Sequence, residues 1–439
     1  MSIELITILM FGFFFLLLAL GVPLAWNMGV IGIVFAVIIG GPRILSVSLF
    51  RVWTVSASFG LMAIPLFMFM ASLLQYAGVA DELFGAIHLW MGPIKGGVAM
   101  ATVIACAIMG AMLGSSGSGI IIMGLIALPY MFRHGYDTKL VLGSIMSGGG
   151  LGVLIPPSVM FILYGTLAGV SIGKLFMGGV GTGILLAMLY CIYIGIRCYL
   201  NPKLGPPLPK EERAIPFKAK LGLTKHLILP ALLILSIIGT IFAGIATPTE
   251  AAGVGVIGAM LCCAVRGKLT LTNLKLACYG TMRVIGLMWW LVFGSSVFVG
   301  VYTLAGGAEF IKGILLALPL GPWGVLILIQ FTLILLGMVI DLVGLCILAV
   351  PIVTPVINTL GFDPLWFGVL FNVNLQIGYL SPPFGLSMFY LKGVTPDEVT
   401  MSDIYGSVWP WMGLQLIGLI ICMLYPPIIT WLPSMMLGR

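Results

Sequence analysis

Few side chains in this chain have the means to do chemistry, and two groups of them stand out by their setting. In LGSSGSGIIIMG (113–124), glycine and serine alone fill positions 114–119 between runs of Ile, Met, Leu and Ala. Asp341, in LGMVIDLVG, is a lone carboxylate in a long apolar stretch. Two further interruptions, GGGLGVLIPPS (148–158) and NLQIGYLSPPFG (374–385), combine glycines with a Pro-Pro pair. Helix breakers inside hydrocarbon leave backbone N–H and C=O groups without partners, at several kcal/mol each, so they persist only within protein or around a polar cavity. Freed carbonyls and serine hydroxyls are hard oxygen ligands suited to a cation. The half-helix N-termini beside them suit an anion.

On that ground Asp341 reads as part of a cation site, because an ionisable group at such depth is costly. It also reads as a cap of the half-helix that follows, and the two roles can coexist. Ser115, Ser116 and Ser118 read as cation ligands, with capping or close helix packing as the plainer alternative. Asn372 and Asn374, on the approach to the last break, read equally as substrate contacts or as interhelical hydrogen-bonding groups. Enzymatic chemistry finds no support. A Walker lysine motif, a nucleophile elbow and an H-E-x-x-H are all absent, and Asp341 has no second acid or base at depth. His88, His134 and His226 lie near membrane edges without ligand spacing, and the vicinal Cys262–Cys263 pair is poorly placed for a shared metal.

The elements that hold these breaks are apolar throughout. The 439 residues are 61% hydrophobic and 8% charged, and apolar runs of about 20 residues recur from end to end. This is the signature of an all-α polytopic membrane protein in a lipid bilayer. ELITILMFGFFFLLLALGV at the start reads as a retained span rather than a signal peptide. The net charge of +7 comes largely from a Pro-rich basic linker and from 265–283, as expected of cytoplasmic loops and not of a nucleic-acid surface.

The two halves superpose at a constant offset of 226 residues: Gly135 on Gly361, Asp137 on Asp363, Gly152 on Gly378, Pro156–Pro157 on Pro382–Pro383, Tyr164 on Tyr390. Shared Gly, Pro and Asp at one ungapped offset mark an internal duplication. Each half reads as three spans, an amphipathic piece, a re-entrant hairpin (95–134; 322–360), a broken helix (138–168; 364–392) and a last span. Five crossings per half invert the second repeat against the first. Fifteen of the 20 Lys and Arg then fall on one side, which places both termini outside. The expected division is scaffold spans at 1–92 and 227–320, hairpin and broken helix at 93–200 and 321–439, and the linker at 201–226. Inverted repeats with paired broken helices near the midplane are the arrangement of secondary transporters.

The sequence resembles a known family in GSSGSG…MGLIALPYMFRHGYD…LGSIMSGGGLGVLIPPSVMFILYG…SIGKLF, ATPTEAAGVG and LGMVID…GFDPLWFGVLFNVNLQIGYLSPPFGLSMFYLKG. These motifs, in matching order along the chain, are similar to the large membrane subunit of tripartite ATP-independent periplasmic (TRAP) transporters. The resemblance implies a sodium-coupled importer of organic acids in a bacterial inner membrane, with no cofactor besides Na+ as coupling ion. It implies two partners, a small membrane subunit of four spans and a periplasmic substrate-binding protein, and an elevator-type fold and mechanism. One sodium site would fall on Ser115, Ser118, Gly152, Ile155 and Ser158. The other would fall on Gly337, Gly378, Ser381 and Phe384, mostly through carbonyl oxygens, with Asp341 added on physical grounds. Substrate would meet Ser116, Gly117, Pro156, Pro157, Asn372, Asn374 and Pro382. The sequence departs from the family pattern at Tyr130 and Gln376, where acids are frequent, and at Leu342, where a hydroxyl is. A stand-alone sodium/anion symporter and a channel are the alternative readings.

Overall fold

The computed structural model describes residues 1–213, 216–225 and 227–436; His226 and Arg439 lie outside them. The first repeat comprises α1 (Ile3–Ala19), α2 (Leu24–Gly40), α3 (Leu45–Ser56), α4 (Ala63–Tyr76), α5 (Val79–Met91), α6 (Gly97–Leu113), α7 (Ser116–Arg133), α8 (Thr138–Gly150), α9 (Val159–Ala168) and α10 (Ile172–Leu200). In the linker lie α11 (Lys210–Arg213) and α12 (Phe217–Lys225). The second repeat comprises α13 (Ile228–Phe242), α14 (Pro248–Val265), α15 (Leu271–Leu304), α16 (Gly307–Ala317), α17 (Gly321–Gly337), α18 (Leu342–Thr359), α19 (Pro364–Leu380), α20 (Leu386–Lys392), α21 (Met401–Leu424) and α22 (Pro427–Ser434). Seven helical segments among the described residues are long and apolar enough to cross a membrane, and shorter apolar helices accompany them.

The duplication is visible in the punctuation that shapes each repeat. Gly135 and Gly361 take positive φ, +72° and +81°, and so end the second limb of each hairpin without a Cβ penalty. Two residues later Asp137 and Asp363 cap the next helix, accepting from Leu140 N (3.0 Å) and Leu365 N (2.8 Å). The Pro156–Pro157 and Pro382–Pro383 bonds are both cis. At the head of α14, Thr247 and Glu250 form a reciprocal capping box with Pro248 at the first helical position.

The breaks are narrower than the sequence suggests. Of the six small residues at 114–119, only Gly114 and Ser115 are unwound, and α7 already includes Ser116–Gly119. Their smallness also serves packing. A Cβ on Gly149 would meet the Ile120 backbone at 2.9 Å, so α7 and α8 lie almost in backbone contact there. The other breaks reduce to 151–158, 338–341 and 381–385. Two further elements exceed expectation. A helix, α3, occupies the stretch between the second and third spans. Helix α15 begins ten residues earlier than the apolar run at 281, because Thr270 caps it by accepting from Asn273 N (3.1 Å). With 34 residues α15 is about 51 Å long, well beyond a hydrocarbon core of about 30 Å.

Helices α2, α3 and α4 pack on α15, and α14 packs on α4. Hairpin 1 (α6, α7) packs on α8, while hairpin 2 packs through α17 on α19 and through α18 on α9. Each hairpin therefore lies against a broken helix, and elements from both repeats interleave. The linker is tied to this framework by Gly96 N to Gly205 O (2.8 Å), Leu208 N to Gly92 O (3.0 Å) and Asp137 N to Leu204 O (2.9 Å).

Candidate functional site

The two hairpin tips face one cavity of about 380 Å³. Hairpin 1 contributes Gly114–Ser118 and hairpin 2 contributes Asp341–Val343. Val153 comes from the first break, Val159 and Met160 from the start of α9, and Tyr379 and Tyr390 flank the second break. The opposite wall is apolar, made by Met68 of α4 and by Val284, Ile285, Leu287, Met288 and Leu291 of α15. Among the described residues, no lysine or arginine lines it.

Tip 1 is a two-residue turn. Gly114 has φ +59°, and a Cβ there would lie 2.8 Å from the Pro157 carbonyl oxygen, so only glycine fits. Ser115 is extended and stands at the N-cap of α7, yet its side chain makes no capping hydrogen bond. Ser116, 3% exposed, keeps an Oγ without a partner. The first N–H groups of α7 thus remain uncapped by side chains, with their partial positive charge at the cavity. Tip 2 is built differently. Asp341 caps α18, its Oδ2 accepting from Val343 N at 3.0 Å.

Behind the tips, two pairs of the expected ligand residues are brought into contact. A Cβ on Gly152 would sit 3.1 Å from the Ser115 carbonyl oxygen, and one on Gly337 would sit 3.2 Å from Gly378 Cα. Each hairpin therefore touches its broken helix at glycine, where carbonyls approach without side chains intervening. Ser158 Oγ donates to the Val153 carbonyl and Ser381 Oγ to the Ile377 carbonyl (2.6 Å). Ile155 turns its side chain onto Gly183, and Phe384 is 57% exposed. Pro156, Pro157 and Pro382 lie in the breaks, outside the cavity lining.

The two asparagines are not brought to the cavity. Asn372 Nδ2 donates to the Gly368 carbonyl (2.8 Å), and Asn374 Nδ2 donates to both the backbone carbonyl (2.8 Å) and Oε1 of Gln330. Both are fully buried in α19. Gln376, also buried, has neither amide atom paired and faces Gly150, its counterpart in the other repeat. Sequence reasoning missed Tyr379 and Tyr390 as site residues, and their signal was legible as two phenols bracketing one Pro-Pro break. It also missed the α15 wall, which no polar residue marks. Away from the cavity, Tyr130 OH donates to Glu212 Oε2 (2.8 Å), and His134 Nε2 lies 3.0 Å from Oε1. The hydrogen bonds from His134 and then Tyr130 hold the Glu212 carboxyl below its usual range. An acid from the linker thus stands beside the position where the resemblance leads one to expect an acid in the hairpin.

Residues 11–428 match the family model described as "Tripartite ATP-independent periplasmic transporter, DctM component". The C4-dicarboxylate TRAP transporter large permease protein of Vibrio cholerae is 29% identical, over 100% of this chain and 99% of that one. Its namesake in Pseudomonas aeruginosa is 30% identical over 89% and 90%. Among solved structures, the Alcanivorax borkumensis YdaH transporter superposes with a TM-score of 0.64 at 15% identity, over 91% of each chain, a likeness of fold alone. A multi-pass membrane chain that matches this family over nearly its whole length, and whose relatives are named as permeases rather than enzymes, belongs to the DctM-component family of tripartite ATP-independent periplasmic transporters.

Proposed function

We propose that the chain is the large membrane subunit of a sodium-coupled secondary transporter. It imports an organic acid, delivered by a periplasmic binding protein, together with a small membrane subunit of four spans. The observation that carries this is the meeting of both hairpin tips in one cavity against α15. An anion in a chamber without Lys or Arg needs another source of positive potential, and helix N-termini and bound cations supply it. Carbonyl and hydroxyl oxygens are hard ligands and suit a hard cation such as sodium. In this reading one ion sits among Ser115, Ser118, Gly152, Ile155 and Ser158, and another among Gly337, Gly378, Ser381 and Phe384, with Asp341 adding charge at the second tip.

The moving part in this reading is 93–200 with 321–439, and 1–92 with 227–320 is the scaffold. The wall from Met68 and α15 is apolar and offers no directional bonds to the tips, which favours sliding over hinge closure. Both termini lie on the periplasmic side of a bacterial inner membrane. The test is uptake of labelled organic acids into proteoliposomes holding this chain, its small subunit and the binding protein, with an inward sodium gradient imposed or withheld. Uptake that needs both gradient and binding protein is the expected result. Sodium-driven uptake without the binding protein would make the chain a stand-alone symporter, and unsaturable flux indifferent to sodium would overturn the reading.

A further inference from the structure

A second cavity, of about 50 Å³, lies where the first turn of α8, the last two turns of α10 and the first half of α21 meet. It shares no lining residue with the cavity between the hairpin tips. At about 10–15 Å³ of free volume per water-sized group it holds roughly four such groups, the number of oxygens on one phosphate. Ser407 and Trp411, both buried, form its inner side. The indole rests on Gly143, and the Tyr190 and Tyr193 rings meet it edge-on, each at 5.4 Å.

Two cations reach this cavity from different helices, Lys139 of α8 and Arg197 of α10. Lys139 lies across Gly406, where a Cβ would stand 3.7 Å from Nζ. Arg197 donates from Nη1 to Tyr193 OH (2.9 Å), with its guanidinium 5.7 Å over that ring. Among the described residues neither has a carboxylate within 4 Å. The acid in the lining, Asp137, is engaged in capping α8 through Leu140 N. Asp403, the other acid on which Lys139 bears, is held in its own capping box by Thr400 (2.6 and 2.9 Å).

Beside the cavity the surface is apolar. Ile192, Ile196 and Leu200, next to Tyr193 and Arg197 on α10, are 56%, 56% and 77% exposed, and Trp409 of α21 is 61% exposed. A pocket of unpaired cations at the ends of spanning helices, bordered by an apolar ridge, suits an amphiphile with its charge in the pocket and its chains on the ridge.

We propose that this pocket binds the phosphate of an anionic phospholipid headgroup, with Lys139 and Arg197 on its oxygens and the acyl chains along α10. Inorganic phosphate shares the headgroup chemistry but leaves the ridge uncovered. The site is independent of the transport reading.

The test follows thermal unfolding of the delipidated full chain in detergent with phosphatidylglycerol, phosphatidylcholine or inorganic phosphate. Phosphatidylglycerol raises the melting temperature saturably, and the other two do not. Lys139→Gln and Arg197→Gln each weaken the phosphatidylglycerol effect about fivefold, the worth of one basic residue at an anionic membrane surface. Their melting temperatures in phosphatidylcholine stay close to wild type, since both side chains are exposed. Lys268→Gln, between α14 and α15 and outside the cavity, leaves the affinity unchanged. Equal stabilisation by phosphatidylcholine, or an equal loss in Lys268→Gln, would mean diffuse attraction and overturns the pocket. Equal stabilisation by inorganic phosphate would make it a site for a free oxyanion and overturns the lipid.

Discussion

Replacing Gly378 by alanine tests how the second hairpin is held. Helices α17 and α19 touch at Gly337 and Gly378, and a Cβ on Gly378 would lie 2.8 Å from Gly337 Cα, 2.9 Å from its carbonyl carbon and 3.2 Å from the Ile334 carbonyl oxygen. All three are backbone atoms, so no rotamer change relieves the clash, and the two helices must separate. Alanine gains about 1 kcal/mol in helix propensity. Overpacking costs about 1–3 kcal/mol, and the upper end applies where backbone must move. The net loss is about 1–2 kcal/mol, a fall of a few degrees in Tm. Parting the helices also displaces the Gly337 and Gly378 carbonyls, so the sodium concentration giving half-maximal thermal stabilisation rises. The control is Gly313→Ala on α16, where a Cβ meets nothing within 4 Å and alanine is neutral to slightly stabilising. The assay is thermal unfolding of purified protein across a sodium titration. A Gly378→Ala protein as stable as wild type would refute the close crossing. Lost stability with an unmoved sodium midpoint would refute the carbonyl-ligand role.

Three further outcomes are expected. Glu212→Gln lowers the melting temperature at neutral pH. Because the folded carboxyl is held below its usual range by His134 and Tyr130, this contribution is present above the ordinary glutamate pKa of about 4.3 and is lost as pH falls through the depressed value. The gap between wild type and variant therefore closes in acid, and a gap that widens there would contradict the hydrogen bonds. Asn374→Leu strands Gln330, whose Oε1 and backbone carbonyl it serves, and costs about 1–3 kcal/mol; the rank order of acids in binding assays stays unchanged, since Asn374 does not line the cavity. Thr247→Ala removes one arm of the capping box on α14 and costs about 1 kcal/mol, read as a lower Tm with sodium dependence intact.

Much of the architecture was legible because membrane spans announce themselves by composition and because the repeat supplies an internal comparison. Gly135 with Gly361 and Asp137 with Asp363 were matched as letters, and each pair proved to be a helix stop followed by a helix cap. The extent of the breaks was misjudged for a specific reason. Glycine and serine are poor helix formers in isolation, but at 116–119 they are held in α7 by packing against α8, where small residues are what permits the approach. Asparagine posed the complementary problem. Asn372 and Asn374 are two residues apart, and a polar amide in an apolar helix says that a partner exists without saying whether it is a substrate or a neighbouring carbonyl.

The sequence by itself determined the class of protein, the duplication, the order of spans and hairpins, and the four places where the backbone opens. Those follow from local chemistry, since apolar length, glycine, proline and capping acids act within a few residues of where they stand. Only the tertiary structure decided which of the opened groups face one another. It brought Ser115–Ser118 and Asp341 to one cavity, took Tyr164 out of it and put Tyr390 in, and supplied α15 as the apolar wall. Those choices depend on how helices far apart in the chain cross. The glycines at 152, 337 and 378 set how closely they do so, through contacts with partners that no local pattern names.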